Sequence, residues 1–277
     1  MELNNGIEMP QLGIGTFMIS SEDAEKSVYE ALKIGYRLID TAGAYANERA
    51  VGRAIKKSGI PRNELFVSSK LWVTEYNNPN AVEETLERLG LDYIDLLYIH
   101  QCAGDYLNGY KLIEKAYKDG KVKAIGISNA YGDDFDKIIE NAIIKPQVLQ
   151  VERHPYYVGK DMESKVKEND LKIMAWYPLG HGDKNLLEED IFKSLSKKYG
   201  KTPAQIILRW HIQMGNCIIP GSKNINHIKD NYNIFDFELT NSDMLEIAKI
   251  DSEKKYFEFN NDFKKVIESM SITYEEK

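Results

Sequence analysis

Short apolar runs recur along the chain, and a segment with helical periodicity separates each run from the next. The runs lack strict polar alternation, which is typical of parallel strands buried on both faces. Eight strand–helix alternations with short links and right-handed crossovers predict a closed ring of parallel strands. The predicted strands cover residues 12–16, 36–39, 65–69, 94–99, 122–127, 147–151, 172–176 and 217–219.

The helical segments carry start and stop signals of their own. Ser21 is predicted as an N-cap with acidic residues in the turn after it, and Gly35 ends that helix. Residues 80–89 form another helix that ends at Gly90, and Pro203 opens a later one at its first position. The fold class is therefore α/β, with a (β/α)8 TIM barrel as the predicted architecture.

We expect one domain over residues 1–277. Residues 1–10, with a turn at Asn5-Gly6, predict an N-terminal hairpin that closes the barrel floor. Residues 237–277 predict a terminal helix and a short tail. The alternative, a doubly wound open sheet, is disfavoured because only two glycines of its nucleotide-binding fingerprint follow the first strand.

Composition narrows the function. A length of 277 residues suits a single α/β barrel, and a net charge of -7 argues against nucleic acid as the main partner. No basic head precedes an apolar stretch at the N-terminus, and no apolar run could cross a membrane. Cys102 and Cys217 provide neither a disulfide framework nor metal-ligand spacing. We expect a cytoplasmic protein without a metal, as a monomer or weak homo-oligomer.

Polar residues stand where three of the apolar runs end. Asp40, Lys70 and His100 follow predicted strands, and Tyr45 lies in the loop after Asp40. The C-terminal strand ends of a parallel barrel meet on one face, which is the expected place for chemistry. A nearby ammonium stabilises a phenolate and lowers the pKa of the phenol. We therefore predict a proton-donating site for carbonyl reduction, with Asp40 holding Lys70 and His100 assisting at the substrate oxygen.

Several segments resemble signatures of the aldo-keto reductase family, in the family's order, from about Met9 to about Leu239. Those that carry the resemblance are Asp40–Glu48, Ser68–Trp72, Leu96–His100, Gly120–Asn129, Gln150–Glu152 with His154-Pro155, Ala175–Gly180 and Ile219–Asn231. The resemblance implies an NAD(P)H-dependent reductase in which Tyr45 is the general acid.

The resemblance also implies a nucleotide site. Ser128, Asn129 and Gln150 would hold the nicotinamide carboxamide, and Trp176 would stack on the nicotinamide ring. The adenosine-phosphate end would be held by Ser222, Lys223, His227, Asp230 and Asn231. Many family members have lysine at the position of Gly221 and arginine at that of His227. We therefore expect NADPH, with Lys223 or a protonated His227 as the remaining cation, and NADH stays open.

The substrate pocket is expected to be wide. Tyrosine replaces a common serine at position 177 and is expected to narrow the pocket. The loop after Gln101 is short, however, and the long C-terminal loop of the family is abbreviated, so the rim is low and the mouth open. These features favour broad acceptance of small aldehydes or ketones. The expected walls are Phe17, Met18, Trp72, Gln101, Tyr106 and Tyr177.

Two other classes of function stay open at this point. The barrel could be a nucleotide-sensing regulatory subunit with little or no turnover, although the complete set Asp40, Tyr45, Lys70 and His100 favours an enzyme. A lyase or isomerase could use Lys70 as a Schiff base, but the nicotinamide-binding residues would then lack a purpose.

Overall fold

Eight parallel strands form one sheet in sequence order, β1 to β8, in a computed structural model that describes residues 1–275. A parallel bridge between Leu12 and Ile218 joins the first strand to the last, and the Ile218 N–H donates to the Gln11 carbonyl at 2.8 Å. The sheet is thus a barrel, and the predicted (β/α)8 fold is confirmed. The strands are Gly13–Gly15, Leu38–Asp40, Phe66–Leu71, Leu96–Ile99, Ile125–Ser128, Val148–Glu152, Lys172–Trp176 and Cys217–Ile218.

Helices α1 to α12 surround the barrel and extend beyond its last strand. The first helix is capped by Ser20, whose hydroxyl accepts from the Asp23 N–H, so its cap lies one residue before the predicted one. Thr202 caps α9 in a capping box with Gln205. In order, the helices are Ser21–Ile34, Glu48–Ser58, Ala81–Leu89, Tyr106–Lys118, Gly132–Asn141, Lys160–Glu168, Lys184–Leu187, Asp190–Tyr199, Pro203–Gln213, Ile225–Tyr232, Asn241–Ala248 and Asn261–Glu268.

The barrel interior is apolar towards the N-terminal ends of the strands. The predicted hairpin is present, with an antiparallel bridge between Glu2 and Glu8. Leu3 and Met9 of this hairpin pack beneath the inward-facing strand residues and fill the floor. The strand residues in that cluster are Leu38, Phe66, Leu96, Tyr98, Val148, Met174 and Cys217.

Strand register brings polar side chains together above this apolar layer. Asp40 pairs in register with Gly15 on one side and Ser68 on the other, and Ser128 pairs with Gln150. The side chains of Asp40, Ser68 and Gln150 are buried. A polar layer therefore occupies the barrel interior at the C-terminal ends of the strands.

The described chain from residue 237 contains two helices, α11 and α12, rather than the single terminal helix predicted. Thr240 is the N-cap of α11 and Asn260 that of α12, and residues 252–260 between these helices have no regular secondary structure. Residues 276–277 of the predicted tail lie outside the described residues. Within residues 1–275, no helix is both long and apolar enough to cross a bilayer.

Candidate active site

A buried ion pair lies at the centre of the polar layer. Lys70 Nζ donates to Asp40 Oδ2 at 2.6 Å and to the Thr41 carbonyl at 2.8 Å. The second oxygen of Asp40 accepts from Ser68 Oγ at 2.8 Å and from Gln150 Nε2 at 3.0 Å. The two charged side chains are 0% and 2% exposed. Buried charges are stable only when they are paired and hydrogen-bonded, and this pair meets both conditions.

Tyr45 lies above the ion pair on a short 3-10 turn, Gly43–Tyr45, that follows β2. Lys70 Nζ is 4.8 Å from the centre of the Tyr45 ring. Burial raises the pKa of Tyr45 well above its usual value, and the charge of Asp40 raises it further. The expected lowering of the pKa by Lys70 is therefore not found, because burial and the charge of Asp40 both act in the opposite direction. Tyr45 keeps its proton at neutral pH.

His100 follows β4 and faces the same space. Its ring centre is 5.6 Å from that of Tyr45, in an edge-to-face arrangement, and 5.1 Å from that of Trp72. Burial lowers the pKa of His100 well below its usual value, and the charge of Lys70 lowers it further. The imidazole is therefore neutral at physiological pH, with one N–H donor and one nitrogen acceptor.

These groups border a cavity of about 690 Å³ at the C-terminal face of the barrel. Three of the predicted catalytic residues line it, Asp40, Tyr45 and His100. The predicted cofactor residues that line it are Ser128, Asn129, Gln150, Trp176, Ser222, His227, Asp230 and Asn231. The predicted substrate residues that line it are Phe17, Met18, Gln101 and Tyr177.

Four predicted site residues lie outside the lining of this cavity. Lys70 is beneath Asp40 and Tyr45. Trp72 lies behind His100, with its indole N–H donating to the Met270 carbonyl at 3.0 Å. Tyr106 donates to Asp134 at 3.1 Å, so its hydroxyl is bound to helix α5. Lys223 is 63% exposed and pairs with Asp23 at 3.5 Å. Trp72, Tyr106 and Lys223 are therefore corrections to the expected lining.

One wall of the cavity is a chain of amide hydrogen bonds. Asn129 Nδ2 donates to Gln101 Oε1 at 3.0 Å, and Trp176 Nε1 donates to Asn129 Oδ1 at 3.0 Å. The half-buried Trp176 also meets Tyr177 edge to face at a ring distance of 4.7 Å. These bonds fix both the amide orientation of Asn129 and the indole plane of Trp176.

Backbone strain is concentrated around this wall. Asn129 and Tyr177, which follow β5 and β7, have φ values of 54° and 52° in the left-handed region. A side chain other than glycine in that region costs of the order of 1 kcal/mol, and such residues cluster at functional sites. In this backbone conformation both side chains line the cavity.

Among the lining residues that were not predicted from the sequence, two carry aromatic rings. His181 stacks near the ring of Tyr177 at 4.3 Å, and its place between two glycines was the available signal. Phe257 arrives on the 252–260 segment and meets Trp176 at a ring distance of 5.9 Å. The N–H groups of Tyr256 and Phe257 donate to the buried carboxylate of Glu152 at 2.6 and 3.2 Å. No local sequence signal predicts a contact over that separation.

The cavity floor narrows where the first and last strands meet. A Cβ atom on Gly15 would lie 2.5 Å from the Ile219 carbonyl oxygen, and one on Gly221 would lie 2.8 Å from the Gly15 carbonyl oxygen. The two backbones therefore approach too closely for side chains at either position. This approach accounts for glycine at position 221, where the family often has lysine.

Comparison with known proteins places the chain in a family. The model of the Aldo/keto reductase family matches residues 10–252. The chain belongs to the aldo-keto reductase family. A glyoxal reductase of Bacillus subtilis (strain 168) is 41% identical over 260 residues, which cover 92% of this chain and 94% of the relative. A methylglyoxal reductase, DkgA of Escherichia coli (strain K12), is 36% identical over 92% of this chain and 94% of its own length.

Solved structures agree with this aldo-keto reductase assignment. An aldo-keto reductase from a Medee basin deep-sea metagenome library has a TM-score of 0.91 and 42% identity, covering 93% of this chain and 97% of that one. A Bombyx mori aldo-keto reductase in complex with NADP has a TM-score of 0.87 and 29% identity, covering 93% and 94%. The protein is thus an oxidoreductase that acts on carbonyl groups.

Removing the charge of Asp40 should destabilise the fold. We expect Asp40→Asn to lower the free energy of unfolding by about 3 kcal/mol near neutral pH, because Lys70 is left as an unpaired buried cation. Urea denaturation followed by circular dichroism measures this loss. The double variant Asp40→Asn/Lys70→Met, which buries no charge at these positions, should be more stable than the single variant.

The same variant should respond to pH. Burial lowers the pKa of Lys70, and loss of Asp40 lowers it further. Between that lowered pKa and the ordinary value the unfolded chain binds more protons, so stability rises with pH. The deficit of Asp40→Asn should therefore shrink between about pH 7 and pH 9. A deficit that stays constant with pH and persists in the double variant would contradict the assignment.

Proposed function

We propose that this aldo-keto reductase reduces small aldehydes and ketones with NADPH, and that Tyr45 protonates the carbonyl oxygen. One observation carries the proposal. The Tyr45 ring lies over a buried ammonium at 4.8 Å, beside the imidazole of His100, at the floor of a cavity that Asn129, Gln150 and Trp176 also line. A proton donor thus lies next to amides suited to a carboxamide.

The cavity residues fit a nicotinamide nucleotide. Asn129 and Gln150 present amide groups near Trp176, whose half-exposed indole offers a flat face. The close approach of the Gly15 and Gly221 backbones keeps side chains off this part of the cavity lining. We assign the nicotinamide to Ser128, Asn129, Gln150 and Trp176, and the phosphate end to Ser222, His227, Asp230 and Asn231. When bound, the reduced nicotinamide supplies a hydride to the carbonyl carbon.

The chain's own residues supply the proton. The raised pKa of Tyr45 keeps its hydroxyl protonated until negative charge develops on the substrate oxygen, which is then basic enough to take the proton. The ammonium of Lys70 stabilises the phenolate left behind. Neutral His100 orients the carbonyl oxygen by an N–H donation rather than by a charge.

The alternatives fit these positions less well. Lys70 is wholly buried and donates to Asp40 and Thr41, so its nitrogen is not available for a Schiff base. The relatives named above are reductases, which favours turnover over a regulatory role.

The walls above Tyr45 favour small substrates. Phe17 and Tyr177 form a tilted aromatic pair at 6.2 Å, and the Phe17 ring lies 5.1 Å from that of Tyr45. Phe257 covers the Trp176 side. The relatives' names point to glyoxal and methylglyoxal as their substrates. We therefore propose small α-oxoaldehydes as the preferred class for this enzyme.

Tyr45→Phe removes the proton and keeps the ring. We expect turnover of methylglyoxal, followed by loss of NADPH absorbance, to fall by at least about 10²-fold while the Kd for NADPH is unchanged. A matched control is Tyr93→Phe, whose ring packs under Arg62 at 4.0 Å beside the N-terminal end of β4. A Tyr45→Phe enzyme with near wild-type kcat would refute the role of Tyr45.

The rate of reduction should be insensitive to pH over a wide range. The lowered pKa of His100 keeps the imidazole neutral through the usual titration range of histidine, and the raised pKa of Tyr45 keeps the phenol protonated. We expect kcat/KM to be flat from about pH 6 to about pH 9. His181→Gln and His227→Gln identify any contribution from the other cavity histidines. An inflection near the ordinary histidine value that only His100→Gln removes would contradict this assignment.

Cofactor preference can be read from binding. We expect NADPH to bind more tightly than NADH, by a margin that His227→Arg increases and His227→Gln decreases, because position 227 lines the cavity. Quenching of tryptophan fluorescence measures both affinities, and Trp176→Phe identifies the source of the signal. Lys223→Gln serves as a control for a cation that pairs with Asp23 instead. Equal or tighter binding of NADH to the wild type would overturn the NADPH assignment.

A further inference from the structure

The C-terminal tail, residues 271–275, lies against the turn that carries Tyr45. The Tyr274 ring packs on the guanidinium of Arg88 at 4.1 Å, and its hydroxyl donates to Glu75. A Cβ atom on Gly43 would lie 3.6 Å from Tyr274 Cε1. Gly43 begins the 3-10 turn that ends at Tyr45. Tyr274 is thus packed on the outer side of this turn.

The groups beneath Tyr274 form a buried charge cluster. Arg88 donates to Glu48 and lies 3.8 Å from Glu75, and the three side chains are at most 7% exposed. Glu48 also accepts from the hydroxyl of Ser69, the residue before Lys70. Two carboxylates share one guanidinium, so the Tyr274 hydroxyl supplies a further donor that Glu75 needs. The cluster connects the tail to the segments that carry Tyr45 and Lys70.

Other bonds hold the tail in place. Trp72, which packs on His100, donates its indole N–H to the Met270 carbonyl at 3.0 Å. Arg49 donates to the Glu275 carbonyl at 3.0 Å, and Arg53 donates to the Glu275 carboxylate at 2.7 Å. The chain from Met270 to Glu275 therefore runs behind both His100 and Tyr45.

We propose that Tyr274 is a positioning residue for reduction, which fixes the Gly43–Tyr45 turn and with it the place of the Tyr45 hydroxyl. The proposal rests on the proposed role of Tyr45 as the acid. Tyr274 lies beyond residues 10–252, which the family model matches. Small displacements of a reacting group, of about 1 Å, can cost as much as about 10²-fold in rate.

Kinetics of two variants test the proposal. We expect Tyr274→Ala to lower kcat by about tenfold or more, because the turn loses its packing, while KM for methylglyoxal and Kd for NADPH stay nearly unchanged. Tyr274→Phe keeps the ring on Arg88 and Gly43 and should have a smaller effect. The matched control is Tyr93→Ala, which removes the same kind of tyrosine–arginine contact at the opposite end of the barrel and should keep wild-type kcat.

A pH profile separates positioning from a general loss of stability. Burial raises the pKa of Glu75, and the Tyr274 hydroxyl and Arg88 oppose this rise, whereas Glu48 and Glu84 add to it. Without the hydroxyl the pKa of Glu75 rises further. The kcat deficit of Tyr274→Phe should therefore be larger at high pH, where Glu75 is charged, than at low pH. The double variant Glu75→Gln/Tyr274→Phe should recover kcat and lose this dependence.

A failure of the positioning role of Tyr274 can be distinguished from a failure of the proposed function. If Tyr45→Phe keeps its turnover, the role of Tyr45 is wrong and the positioning proposal fails with it. If Tyr45→Phe is inactive but Tyr274→Ala keeps kcat within about twofold of wild type at every pH, only the role of Tyr274 is overturned. A lowered melting temperature of Tyr274→Ala with unchanged kcat would show a purely structural anchor.

Discussion

The architecture of the site depends on one buried ion pair, between Lys70 and Asp40. Charges with almost no solvent contact require every donor and acceptor around them to be satisfied. Thr41, Ser68 and Gln150 meet this requirement from three different parts of the barrel. The hydrogen bonds to this carboxylate and this ammonium therefore constrain the register of β2, β3 and β6. That register determines which residues form the floor of the cavity.

Burial and this pair together affect the charge state of the neighbouring groups. Burial raises the pKa of Tyr45, and the carboxylate of Asp40 raises it further, so the phenol stays neutral and protonated beside the ammonium. His100 is likewise neutral, because burial and the nearby cation both disfavour its protonation. In the proposed reaction the proton comes from the neutral phenol of Tyr45, and the ammonium of Lys70 lies 4.8 Å from the ring that becomes an anion.

Much of this could be predicted because the signals are local. Apolar runs marked the strands, and polar residues at their ends marked Asp40, Lys70 and His100. The cap of α1 was displaced by one residue because Ser20 and Ser21 are adjacent and both can accept the bond. The direction of the Tyr45 pKa depends on burial, which sequence does not show. Phe257 and Tyr274 escaped prediction because their contacts, to residues more than a hundred positions away, arise only in the folded chain.

The carboxylate of Glu152 binds the 252–260 segment by accepting hydrogen bonds from the main-chain N–H groups of Tyr256 and Phe257. Every residue except proline carries a main-chain N–H group, so these hydrogen bonds do not depend on which side chain stands at position 257. The segment can thus keep its path over the barrel mouth while the group it presents beside Trp176 is exchanged. A substitution at position 257 therefore acts on the ring contacts with Trp176 and Phe263 and leaves the main-chain bonds to Glu152 in place.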